Sequence, residues 1–188
     1  MTPDLETLQR PPHPVLVEIE ERGAADRVAL ISRPMGRFLS TVVTAMQANR
    51  ILEVGTAYGY STLWMALAQP PAGRIWTIEH EAARAGVALD FFRRAAEDDY
   101  IEVFTTPAYD LLENFPQRNL DIVFAAGDDA RYDDYLDLVI PMLKLSGLVI
   151  FNDCVRDARF TRRFLEHPSL DATLLPIGAG AALGARRR

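Results

Sequence analysis

Residues 50–61 read Arg50-Ile51-Leu52-Glu53-Val54-Gly55-Thr56-Ala57-Tyr58-Gly59-Tyr60-Ser61. A short apolar run ends in two glycines, and a serine then opens a helix-patterned segment over 61–69. Continuous rather than alternating apolar character is what a parallel strand covered on both faces requires. Gly55 and Gly59 let the chain turn sharply and let its backbone come close to a ligand. The free N–H groups of a helix opened by Ser61 form a seat for a negative group.

The same unit repeats outward from this stretch. Further β-rich runs occur at 74–79, 101–104, 121–126 and 147–151, with helix-patterned segments at 81–97, 108–114 and 131–143 between them. This alternation predicts an α/β fold, a Rossmann-like doubly wound sheet with right-handed crossovers. A helix near 158–166 precedes two more short strands, 170–175 and 181–185. Their link, Pro176-Ile177-Gly178, suits a hairpin, so the last of the seven strands should be antiparallel. Upstream, a short helix is expected over 14–21, ending near Gly23. A second begins after Ser32 as N-cap, with Pro34 in its first turn. Met35, Phe38, Leu39, Val42, Val43 and Met46 then share one face. Residues 1–13, with Pro3, Pro11 and Pro12, read as a loose arm on a single domain over 14–188. The Met35–Met46 face and several aromatics exceed what one small sheet needs to cover itself, which points to a homodimer. Trp64, Trp76, Phe91 and Phe92 belong either to the core or to that dimer face.

Composition narrows the function. Lys and Arg total 20 against 26 Asp and Glu, a net charge of −6 over 188 residues. A nucleic-acid partner normally demands a basic face, so none is expected. One cysteine, Cys154, excludes an intrachain disulfide and a cysteine-cluster zinc site. No apolar run approaches the ~18 residues of a membrane span, and the N-terminus lacks a secretion pattern. A soluble, cytoplasmic protein is expected.

The second strand ends at Glu79, where an acidic side chain can accept two ribose hydroxyls. Strand, glycine turn and carboxylate at this offset describe an adenosine-nucleoside site. A dinucleotide fingerprint from Gly55 would need glycines where Ala57 and Tyr60 stand, and no phosphate-cradling G-x-x-x-x-G-K-[ST] occurs. Glu53 is poor company for a pyrophosphate, but suits the ammonium and sulfonium charges of S-adenosylmethionine.

Three stretches carry a family resemblance: Met35-Gly36-Arg37-Phe38-Leu39, the Leu52–Ser61 loop, and Leu174-Leu175-Pro176-Ile177-Gly178-Ala179-Gly180. On these the chain resembles the class I S-adenosylmethionine-dependent O-methyltransferases of the catechol and caffeoyl-CoA type, from about His13 to the C-terminus. The resemblance implies a seven-stranded sheet with an antiparallel last strand, and a small-molecule methyl acceptor. It also implies that Glu53, Gly55, Thr56, Gly59 and Ser61 surround the methionine end of the cofactor, with the Ile31 backbone capping its carboxylate. Glu79 would hold the ribose, His80 and Ala108 would flank the adenine, and Asp128 would be a second carboxylate nearby.

The departures from the family bear on the acceptor. The family's fourth strand ends Phe-Ile-Asp-Ala-Asp-Lys; here the residues are Phe124-Ala125-Ala126-Gly127-Asp128-Asp129, anchored by Tyr132. A metal-ligating Asp is thus Ala126, and the Lys that serves as base is Asp129. The family's Asp-Asn after the fifth strand is reversed to Asn152-Asp153. A hard cation wants several oxygen ligands, carboxylates foremost, so no metal is expected. Asp129 and Asp153 remain as candidate bases for an acceptor hydroxyl. Against that, Asp128, Asp129, Asp133 and Asp134 could simply favour the start of a helix. His13, His80 and His167 lack metal spacing, and Cys154 reads as a small buried residue. Arg156, Arg159, Arg162 and Arg163 are either a solvated face or an attractor for an anionic acceptor. Two functions stay open: a metal-independent small-molecule methyltransferase, and a degenerate member that binds cofactor or a partner without catalysis.

Overall fold

The computed structural model describes residues 8–127 and 129–188, and for Asp129 the backbone alone. Seven strands form one sheet: β1 Arg50–Val54, β2 Arg74–Glu79, β3 Ile101–Thr105, β4 Leu120–Ala125, β5 Leu143–Phe151, β6 Leu170–Leu175 and β7 Ala181–Arg186. Their order is β3-β2-β1-β4-β5-β7-β6. β7 runs antiparallel to both its neighbours and the other pairings are parallel. The doubly wound architecture and the antiparallel last strand are as the alternation predicts.

Helices α1 Pro14–Asp26, α2 Arg33–Met46, α3 Tyr60–Ala66 and α4 Ala82–Arg94 cover one face, while α5 Ala108–Glu113, α6 Tyr132–Val139 and α7 Ala158–Leu165 cover the other. Strand residues divide between these faces with period two. Ile51 and Phe124 join the first cluster, and Leu52, Val54 and Val123 the second. All of β4 is buried, the burial expected of a strand sandwiched between helical layers.

Several boundaries differ from the sequence expectation. α1 runs through Gly23 and stops at Asp26, with Arg27 in the left-handed region at φ 57°. Gly23 serves close packing, since a Cβ there would lie 2.7 Å from the Leu30 side chain. The helix expected over 131–143 ends at Val139. Pro141, which lacks an N–H for helical pairing, lies in a 3-10 turn over Ile140–Met142. β5 consequently starts at Leu143, with a register irregularity against β4 between Leu120 and Ile122. The face of α2 is not spare either. Met35, Leu39 and Val43 are buried within this chain, as are Trp64, Trp76, Phe91 and Phe92. Phe38, Val42 and Met46 of the same face pack partly buried against this core, so the face covers the chain's own sheet and does not by itself call for a second copy.

Polar contacts lock the three N-terminal helices together. Ser32 caps α2 by accepting from the Met35 N–H. Arg33 donates through both Nε and Nη2 to the carboxylate of Glu20 on α1, and the Tyr60 hydroxyl at the start of α3 donates to it as well. Burial alone would raise the Glu20 pKa, but the Arg33 and Tyr60 bonds outweigh it and hold the carboxyl below its ordinary value of 4.5. The stability this depression supplies is present above that value and is lost as pH falls through the folded-state pKa. Glu20→Gln should therefore cost about 1–2 kcal/mol near neutrality, discounted for partial exposure. It should also make stability less steeply pH-dependent on the acid side of 4.5. Urea unfolding at several pH values checks this, with Glu18→Gln, in an exposed pair with Arg94, as a control expected to change little.

Candidate functional site

At the carboxyl ends of β1, β2, β4 and β5 lies a cavity of about 990 Å³, where open α/β sheets bind ligands. Its walls come from separate segments: the 27–31 link between α1 and α2, the turn after β1, Glu79 and His80 after β2, residues 106–110, Ala126 and Gly127 after β4, Asn152 and Asp153 after β5, and Ala179 of the β6–β7 hairpin.

The turn after β1 is shaped by its neighbours. Gly55 has φ +96°, and a Cβ there would sit 1.7 Å from the carbonyl oxygen of Ala126. The glycine is thus required by the approach of the β4 end, even before any ligand is considered. Gly59, at φ +81°, leaves room for the ring of Phe92, which a Cβ would approach to 2.4 Å. Gly59 therefore packs behind the turn and is not among the residues lining the cavity.

Glu53 is also behind the wall. It lies in the strand with no exposed surface and faces Thr77 across the β1–β2 pairing. Ser61 Oγ donates to its Oε1 at 2.5 Å, Thr77 Oγ1 donates to its Oε2 at 2.6 Å, and Thr62 Oγ1 donates to Oε2 too. Thr56 Oγ1 lies 2.6 Å from Thr77 Oγ1, and with the Thr77 hydrogen committed to Glu53, Thr56 is the donor. Burial pushes the Glu53 carboxyl upward, opposed by these three donors. A buried acid with three donors is the satisfied arrangement that desolvation demands. Its effect on the cavity passes through Ser61 and Thr56, which both line it.

Glu79 is placed differently. Only 4% exposed, it lines the cavity, and each oxygen accepts one backbone N–H: Oε2 from Ala57 at 2.8 Å, Oε1 from Glu81 at 3.0 Å. Two carboxylate oxygens offer about four acceptor sites, so capacity for two more donors remains. Glu79 thereby anchors the glycine turn and keeps a diol-binding edge. His80 is mostly exposed, with Nδ1 at 3.4 Å from Glu79 Oε1, and lines the cavity, as do Ala108 and Ile31. Arg131 stacks on Tyr109 at 4.6 Å, bridging the segments after β3 and β4.

On the other side stand Ala126, Asn152 and Asp153. The Tyr132 hydroxyl donates to the carbonyls of Asn152, at 3.0 Å, and Ala125, at 3.3 Å, tying the ends of β5 and β4 together. Asn152 is 5% exposed and its Oδ1 has no partner. Asp153 occupies φ +53°, an uncommon conformation for a residue with a side chain, and its Oδ1 accepts the Ala179 N–H at 3.1 Å. Cys154 is buried, and burial pushes its thiol up to about 11, which leaves it unreactive near neutrality. Asp128 and the Asp129 side chain lie outside the described residues.

This set is a poor fit for a divalent cation. Among the described residues Ala126 has no side-chain ligand atom, Asn152 offers one neutral oxygen, and Asp153 is the one carboxylate of these three, whereas Mg²⁺ and Ca²⁺ seek more oxygen ligands. Among the described residues no group of three His, Cys, Asp or Glu side chains is placed to hold a metal. The cofactor side, by contrast, suits an adenosine nucleoside with a charged tail.

The structure thus places Ile31, Gly55, Thr56, Ser61, Glu79, His80, Ala108 and Asp153 on one cavity, and Glu53 and Gly59 behind it. Sequence reasoning missed Thr77 and Tyr109. A threonine inside the apolar run Arg74–Glu79 was the available sign that a neighbouring strand carries a buried polar group. The Tyr109–Arg131 stack joins the start of α5 to the 3-10 turn before α6 and had no local signature.

Comparison with known proteins agrees with this geometry. A profile of the O-methyltransferase family matches residues 10–187. A catechol O-methyltransferase of Mycobacterium tuberculosis is 33% identical over 160 residues, covering 77% of this chain and 73% of that protein. One from Niastella koreensis is 31% identical over 132 residues, covering 69% of this chain and 60% of that protein. The crystal structure of an O-methyltransferase from Bacillus cereus in complex with SAH superimposes with a TM-score of 0.87 at 25% identity, over 97% of this chain and 95% of that one. With the fold, the cavity and the profile in agreement, the chain belongs to the O-methyltransferase family.

Proposed function

We propose that this protein transfers the methyl group of S-adenosylmethionine to an oxygen of a small molecule, without a divalent metal at the acceptor. The observation that carries this reading is one cavity with two unlike sides: a complete nucleoside side around Gly55, Ser61 and Glu79, and an acceptor side of Ala126, Asn152 and Asp153 that is short of metal ligands. When bound, the cofactor supplies a methyl carbon already activated by a positive sulfonium, and what remains for the protein is to position the nucleophile. Glu79 holds the ribose hydroxyls. Ile31, Thr56 and Ser61 hold the methionine end, with Glu53 fixing Ser61 from behind, while His80 and Ala108 flank the base; the family resemblance adds Asp128 as a second carboxylate toward the cofactor.

On the acceptor side, Asp153 Oδ2 is the proton acceptor for a hydroxyl brought within about 3 Å, because Oδ1 is held by Ala179. Asp129, whose backbone opens the 3-10 turn Asp129–Arg131, is the alternative base. The same reading includes a cytoplasmic homodimer, with 14–188 as the folded unit and 1–13 as its arm, on the strength of the family resemblance. Among the described residues no helix is long and apolar enough to cross a membrane. Light scattering that gave a 21.0 kDa particle at micromolar concentration would remove the dimer.

The testing experiment is transfer of labelled methyl to a panel of phenols, before and after EDTA, with Mg²⁺, Mn²⁺ and Ca²⁺ added back. Activity should survive chelation. Loss on chelation with recovery on one metal would show a rebuilt site and overturn the metal-independent reading. Tight cofactor binding with no transfer to any acceptor would favour the second reading, a binding protein without catalysis, which Ala126 and Asn152 also support. For the cofactor, Glu79→Ala should weaken S-adenosylmethionine binding by about 2–3 kcal/mol, the loss of charge-assisted hydrogen bonds. Calorimetry showing unchanged affinity would take Glu79 out of the site.

A further inference from the structure

Four arginines line the cavity: Arg27, Arg84, Arg131 and Arg156. Glu79, Asp110 and Asp153 line it too, so what matters is which guanidinium is left for a ligand. Two of the four are committed. Arg84 pairs with Glu81 at 3.1 Å, and Arg131 pairs with Asp134 at 3.1 Å while stacking on Tyr109. Arg27 closes α1 on the 27–31 segment, on the side assigned to the charged tail of the cofactor. Arg156 is left, lining the cavity three residues after Asp153.

The neighbouring basic residues do not share its position. Arg159 and Arg163 of α7 are taken up by Asp133 of α6, and Arg163 also by Asp137. Arg156 forms no ion pair with a described carboxylate, though it lies among residues that are held on both sides. Val155 packs against Gly180 of the β6–β7 hairpin, where a Cβ would approach it to 2.4 Å. Asp157 caps α7 by accepting the N–H groups of Arg159 at 2.9 Å and Phe160 at 3.0 Å. Cys154 N–H bonds the Gly180 carbonyl at 3.2 Å. An exposed guanidinium is thus offered to the cavity from a backbone that is already anchored, which lowers the ordering cost of binding.

We propose that Arg156 binds a carboxylate on the methyl acceptor, so that the preferred substrate is a phenolic acid rather than a neutral phenol. This rests on the transferase reading above and names its substrate class. The hydroxyl to be methylated lies inward beside Asn152 and Asp153, and the carboxylate lies outward, where the planar guanidinium can meet it through two parallel hydrogen bonds. Asn152, buried and with an unpartnered Oδ1, supplies the inner polar contact.

The test compares hydroxybenzoic and hydroxycinnamic acids with their methyl esters in the wild type, Arg156→Gln and Arg156→Lys. The wild type should favour the acid by about tenfold in kcat/KM, through KM, as expected for one charge-assisted pair at a partly exposed site. Arg156→Gln should abolish that preference while leaving turnover of the esters and affinity for S-adenosylhomocysteine unchanged, and Arg156→Lys should retain part of it. Arg159→Gln, outside the cavity, should leave the preference intact. Calorimetry with the S-adenosylhomocysteine-loaded protein reads the acid–ester difference without turnover, so absence of transfer would strike the transferase reading and leave this one measurable. Equal use or binding of acid and ester by the wild type, or a preference that survives in Arg156→Gln, would overturn the proposal. So would a hydroxyphenyl phosphate that displaces the acid at a much lower concentration, since the site would then be built for phosphate.

Discussion

A carboxyl group in the middle of a buried strand is the constraint from which the site follows. Glu53 lies at a fully buried strand position, and it is tolerated there because three hydroxyls reach it. Those hydroxyls come from β2 and from the first turn of α3, so the acid joins strand, neighbouring strand and helix at the point where the chain reverses. Replacing it by an apolar side chain would strand the hydroxyls of Ser61, Thr62 and Thr77 in an interior that charges for unpaired donors. The polar network is thus internally consistent only as a whole, a condition that also fixes where Ser61 presents its backbone to the cavity.

Around this centre the turn is over-determined. Gly55 is squeezed by the Ala126 carbonyl and Gly59 by Phe92, while Glu79 grips the Ala57 N–H from the next strand. Three independent contacts thus hold one loop of a few residues, and none of them needs a ligand. Pre-organisation of this kind means that cofactor binding does not also have to order the loop. It assigns Gly55 a double role: absence of a side chain admits β4 on one side and leaves the cavity open on the other.

The sheet was legible because its central parallel strands β1, β2 and β4 are buried and largely apolar, as strands covered by helices on both faces must be, whereas the edge strands β3 and β6 are only partly buried and carry Glu102 and Asp171. The exact ends were less so. Pro141 stops α6 two residues before the ring itself, and Gly23, read as a terminator, sits inside α1 because its missing Cβ is needed by Leu30. At the site, Glu79 and the glycines could be found from spacing along the chain. The division between lining residues and supporting residues could not, since it depends on Glu53 pointing from β1 into the interior while Ser61, on the first turn of α3, both bonds it and borders the cavity. Ion pairs between distant elements, such as Glu20 with Arg33 or Arg163 with Asp133 and Asp137, depend on helix packing and leave no mark on the local sequence. Only the structure separates Arg156 from the three arginines that follow it.

The two sides of the cavity follow different rules. The cofactor side is made of backbone turns and one carboxylate held by N–H groups, elements that depend on the fold and change little without breaking it. The acceptor side is made of side chains at the ends of β4 and β5, supported by Tyr132, which bonds to two backbone carbonyls and is indifferent to the side chains beside them. Tyr132 can therefore preserve the frame while residues 126, 152 and 153 vary. Relative to the family pattern, an alanine at 126 and an amide at 152 carry no fixed negative charge for a cation to offset. On the metal-independent reading proposed above, an acceptor oxygen is held by hydrogen bonds, and a charged substituent elsewhere on the acceptor becomes the strongest remaining handle. An arginine at the mouth, four residues beyond Asn152, is where such a handle can be taken without burying a second charge.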